Sequence, residues 1–169
     1  MNLERADREL LKELLRSAEV HLAAQLTIAT SADQRAAMMA SVFAAAGAAL
    51  MAGVISVAAG ANYALIVGGG IAASLFLIGA SCCARAAMPT YFWLPGNEPR
   101  DWAMDINAGH KPEQTYQDQV RNLQRKITEN HDIIEDNADW FERGARFGIA
   151  APLIGLVVGL LTLALAFTR

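Results

Sequence analysis

Five residues in the second half of the chain have the types and spacing to hold an anion: Arg100, Trp102, Arg121, Arg125 and Lys126. On a helix, Arg121 and Arg125 share one face at i and i+4. A guanidinium grips a phosphate through two parallel hydrogen bonds, whereas a lysine acts as a point charge. A tryptophan face stacks on a nucleobase, so Arg100 and Trp102 could complete a site for a phosphate-bearing ligand. The plainer reading pairs the arginines with Asp118 and Glu129 along the same helix, and both readings stand at this point.

A second group is acidic. Asp132, Glu135, Asp136, Asp139 and Glu142 form a row just before the last apolar stretch. Repeated around a ring of subunits, Asp132, Asp136 and Asp139 would concentrate cations at a pore mouth. As one helix alone, the row is a solvated face that needs no function.

Other chemistry lacks its residues. His21, His110 and His131 are far apart in sequence, with no HxxxH or cysteine spacing for a metal, and no metal or cofactor is expected. No base lies near Ser41 or Ser56, and Gly68-Gly69-Gly70 lacks the lysine of a phosphate loop. The chain is not expected to be an enzyme. Cys82 and Cys83 are adjacent, a spacing that opposes disulfide geometry and favours small packing residues.

The elements that must carry these groups are helices. Of the 169 residues 54% are apolar and only 18% charged, against about 25% charged in a soluble domain. The charge is missing from three stretches. Residues 36–59 hold none over 24 positions, enough to cross about 30 Å of hydrocarbon at about 1.5 Å per residue. Ala45, Ala49 and Gly53 lie four apart there, a face for close helix packing or for a wide lumen. A second span follows the turn Gly60-Ala61-Asn62, over 63–84, with three glycines that pack closely or bend. The third covers 147–167, with Pro152 in its first turns and Gly155 and Gly159 as a GxxxG pair.

Outside the spans, residues 1–35 read as an amphipathic helix, with Leu3, Leu10, Leu14, Ala18, Leu22 and Leu26 at helical spacing. Ser31-Ala32-Asp33 could cap a new helix, so one long helix and two stacked ones are both open. Residues 85–146 open with a loop holding four of the five prolines, in which Tyr91, Phe92 and Trp93 suit a membrane-surface belt. From Glu113 a helix carries a heptad seam: Tyr116, Val120, Leu123, Ile127, Ile134, Ala138, Phe141, Ala145 and Gly148. Asn130 and Asn137 interrupt it, as residues that set register and oligomeric state do. The seam could pack on the N-terminal helix, on a neighbouring subunit, or on both, and the helix could run on into the third span as one rod of about 80 Å.

The fold expected is an all-α membrane protein: three transmembrane helices with long cytoplasmic extensions forming a helical, coiled-coil domain. The chain opens on a charged segment without an apolar core, so insertion is expected to rest on the spans themselves. Arg5, Arg8, Lys12, Arg16 and Arg35 precede the first span, eight more basic residues lie in 85–146, and only Arg169 follows the third. The positive-inside rule then places the N-terminus and 85–146 in the cytoplasm and the C-terminus outside. With eight Lys and Arg against eleven Asp and Glu in 85–146, general nucleic-acid binding is disfavoured, and a ligand would need a local cationic pocket.

Three features resemble a known group. They are the polar entry Ser31-Ala32-Asp33-Gln34-Arg35-Ala36, the loop Leu94-Pro95-Gly96-Asn97-Glu98-Pro99 with Trp102, and the helix from Ile127 to Phe141 leading into the last span. The layout is similar to that of small bacterial membrane effectors of anti-phage defence: SLATT-type proteins, Pycsar transmembrane effectors and the Hailong effector. The resemblance covers most of the chain. It implies a homo-oligomer, taken as a tetramer, in the bacterial inner membrane, acting as a ligand-gated channel or pore. It also implies a nucleotide or single-stranded DNA oligomer as ligand, made by a partner nucleotidyltransferase. A non-conducting anchor or scaffold that recruits a cytoplasmic partner is the alternative.

Overall fold

The structure, a computed structural model, describes Leu3 and residues 6–58, 60, 62–97 and 99–168, without the side chains of Pro99 and Asp101. Arg5, Ala61, Glu98 and Arg169, all named above, and Ala59 at the end of the stretch 36–59, lie outside the described residues.

Among the described residues four α-helices make up the regular structure: α1 Arg8–Ala58, α2 Tyr63–Ala86, α3 Pro99–Asn107 and α4 Pro112–Phe167. No strand occurs among the described residues. Helices α1, α2 and α4 are long and apolar enough to cross a membrane. Ser31-Ala32-Asp33 caps nothing: α1 runs through it, with the Ser31 hydroxyl donating to the Thr27 carbonyl one turn back. Pro152 likewise lies inside α4 without ending it. Helix α3 is a nine-residue element that the proline content of its segment hid; Pro99 opens it, where a missing N–H costs least.

The chain divides into two compact units, and α1 and α4 contribute to both. The first comprises Met1–Ser31 and Thr90–Glu135. Its core gathers Leu3, Leu11, Leu15 and Leu22 with Val120 and Leu123, and Trp102, Tyr116 and Ile127 pack against it. The heptad seam of α4 is therefore used within the chain here, against α1. Gln25 donates to the Ile127 carbonyl across this pair at 3.0 Å.

The second unit comprises Ala32–Pro89 and Asp136–Arg169. Glycine lets its helices approach backbone to backbone. A Cβ on Gly68 would lie 2.5 Å from the Gly155 carbonyl and 2.9 Å from Gly159 Cα, and one on Gly79 would lie 2.9 Å from the Gly144 carbonyl. Phe43 fills the space over Gly148, and Cys83, free and fully buried, packs beside Gly144. The face carrying Ala45, Ala49 and Gly53 is exposed, and a methyl added to Gly53 would meet nothing within 4 Å. The close contacts of α1 thus run elsewhere, through Gly47 against Leu77 and through Val54 against Gly69.

Candidate anion-binding site

Within the first unit, the segment 91–97 lies along α4, and Asn130 fixes it there. Asn130 is fully buried. Its Oδ1 accepts from the Trp93 N–H at 2.9 Å and its Nδ2 donates to the Trp93 carbonyl at 3.0 Å. One side-chain amide thereby satisfies both polar groups of a backbone unit that has no helix or sheet to serve it. The Trp93 indole N–H donates to the Glu129 carboxylate, and Tyr91 meets the Trp93 ring edge-on at 4.9 Å. Gly96, at φ +91°, turns the chain after Pro95 in a conformation that side-chain-bearing residues avoid. Asn97 then donates to Gln119 Oε1 at 2.9 Å and accepts from Lys126 Nζ at 3.3 Å.

A cavity of about 540 Å³ lies between this segment and α4, lined by Arg100, Arg125 and Lys126 together with the aromatic residues 91–93. Lys126 is its distinctive member. The residue is 8% exposed, its ammonium stands 5.4 Å over the Trp93 ring, and no carboxylate pairs with it among the described residues. A buried charge without a counter-charge is costly. The tryptophan face offsets part of that cost, and Asn97 takes one of the three ammonium donors. Arg125 is more exposed and more fully engaged, with Asn122 Oδ1 at 3.0 Å and Glu129 at 4.0 Å. An anion in the cavity would supply the charge that Lys126 lacks, and a flat ring would find aromatic walls.

The structure brings together three of the five residues chosen for chemistry: Arg100, Arg125 and Lys126. Arg121 pairs with Asp118 at 3.1 Å and lines a different cavity. Trp102 packs into the apolar core, edge-on to Tyr116 at 6.0 Å. The aromatic group beside the lysine is Trp93, whose place in the sequence suggested a membrane belt instead. Asn97 and Asn130 are site residues that spacing alone does not mark; the available signal is an Asn inside an apolar seam facing a Pro-Gly turn.

Of the three acidic residues expected at a pore mouth, all are exposed. Asp139 lies 3.9 Å from Arg143, whereas Asp132 and Asp136 make no ion pair among the described residues. Comparison with protein-family models, curated proteins and solved structures found no match to this chain.

Proposed function

We propose that this chain is a three-span protein of the bacterial inner membrane that assembles into an oligomeric ion channel or pore. A phosphate-bearing ligand, a nucleotide or single-stranded DNA oligomer from a partner nucleotidyltransferase, regulates it, and its opening disrupts the membrane in anti-phage defence. The observation that carries the reading is Lys126, a buried cation lining a cavity with no acidic partner among the described residues. Helix α4 carries both this lysine and the apolar stretch of the third span, which offers a route from ligand to membrane. The distribution of Lys and Arg supports a cytoplasmic placement for 85–146. Oligomerisation through exposed seam positions, coiled-coil contacts included, and a tetrameric count belong to the same proposal.

The non-conducting anchor keeps one observation in its favour. The span helices pack through glycine contacts, and no charged residue lies within 36–58 or 147–168. In that reading a conducting path has no charged lining within those two stretches.

Binding is tested with the purified full chain in detergent, titrated with a labelled nucleotide and a labelled single-stranded DNA oligomer. Lys126→Ala should weaken binding about 30-fold or more, the effect of about 2 kcal/mol for truncating one partner of a buried charged contact. Arg125→Glu should abolish it, and Arg121→Glu should leave it within about twofold, because Arg121 lies outside the cavity. Equal loss in both arginine variants would place the ligand elsewhere.

A further inference from the structure

We propose a divalent transition-metal site formed by Asp105, His110 and Asp118, distinct from the anion cavity. Their ligand atoms, two carboxylate oxygens and an imidazole nitrogen, all lie within 4.8 Å of one another. The three residues fall within fourteen positions of the sequence, and the backbone explains why they meet. Helix α3 ends with the Gly109 N–H donating to the Ile106 carbonyl and the His110 N–H donating to the Asp105 carbonyl, both at 3.1 Å, with Gly109 at φ +68°. That is a Schellman ending, which brings the residue after the glycine back over the helix's last turn. It sets His110 Nδ1 3.3 Å from Asp105 Oδ1. Asp118, from the second turn of α4, closes the group.

One nitrogen and two carboxylate oxygens suit Zn²⁺, Co²⁺ or Mn²⁺ rather than a soft cation. Two ligands on a tetrahedral ion with bonds of about 2.0–2.1 Å are about 3.3–3.4 Å apart. The His110–Asp105 separation already matches. Asp118 must move on the order of 1 Å, which a surface rotamer supplies. Its present partner is Arg121, at 3.1 Å, so the arginine and a metal ion compete for the same carboxylate. A bound ion would tie α3 to α4, and water would fill its remaining positions through the adjoining cavity of about 350 Å³.

The metal site does not depend on the channel reading and is tested apart from it. Tag-free full chain in detergent is titrated with Co²⁺, followed by its visible spectrum, and then with Zn²⁺ in competition. One Co²⁺ per chain is expected, without the thiolate charge-transfer bands that Cys82 or Cys83 would produce. His110→Ala and Asp118→Asn should each weaken binding about tenfold or more. Arg121→Gln should strengthen it severalfold by removing the competitor, an effect that misfolding cannot imitate. No stoichiometric binding, a thiolate spectrum, unchanged affinity in His110→Ala, or weaker binding in Arg121→Gln would each overturn the site.

Discussion

At the scale of single residues, two side chains of α4 carry the account. Lys126 holds a buried charge beside Trp93, and Asn130 holds the Trp93 backbone in place. The seam position of Asn130 was legible in the sequence, and so was its polarity. Its use was not, because a heptad pattern shows that a site is buried but not which backbone will reach it. Asn130→Ala leaves the Trp93 N–H and carbonyl without partners, so we expect a loss of about 1–3 kcal/mol, with the Trp93 amide exchanging its hydrogen faster than in the wild type. Unchanged exchange there would mean that the segment is held by other contacts. A second residue-scale prediction concerns Asp33. Burial pushes its carboxyl above the ordinary aspartate value, so folding disfavours its ionised form relative to the unfolded chain. The resulting stabilisation is present at low pH and is lost as pH rises through the raised folded value. Asp33→Asn should therefore be more stable than the wild type at neutral pH, and the gap should narrow on acidification. A pH-independent gap would contradict this.

At the scale of elements, the three long apolar helices follow from composition and period, and the structure places them close to where charge disappears from the sequence. The GxxxG pair Gly155 and Gly159 packs closely as its spacing suggests, against Gly68, but the small residues that α1 uses for packing did not follow. A helix of Ala and Gly offers small residues on every side, so the row Ala45, Ala49, Gly53 looked as suitable as any, yet it is exposed. The contact is decided by matching rows on two helices, Gly68 with Gly155 and Gly159, and Gly79 with Gly144 and Gly148. This separates neighbouring glycines of one run. Gly68→Ala would press a methyl into the Gly155 backbone, at a cost of about 1–3 kcal/mol. Gly70→Ala meets nothing within 4 Å and should be neutral or gain up to about 1 kcal/mol from helix propensity. Thermal unfolding in detergent compares the two, and equal effects would remove the packing argument. Helix α3 was hidden for a different reason: two prolines within five residues read as irregular chain, although one of them occupies a first-turn position.

At the scale of the whole molecule, the windows that qualify α1 and α4 as spans are only 11% buried within the chain. Large apolar faces are left for lipid, for other copies, or for both. Helices long and apolar enough to span a membrane are legible in that surface and in the sequence alike. Conduction is not, because a pore built between copies has its lining set by contacts that a single chain's residue pattern does not encode. The direct measurement is ion flux from liposomes containing the purified full chain, with and without a nucleotide or a single-stranded DNA oligomer. The account predicts a flux that the ligand changes, and it predicts that Lys126→Ala conducts but no longer responds. An absence of flux under every ligand condition, from protein that is correctly inserted, would contradict the channel and leave the anchor in its place.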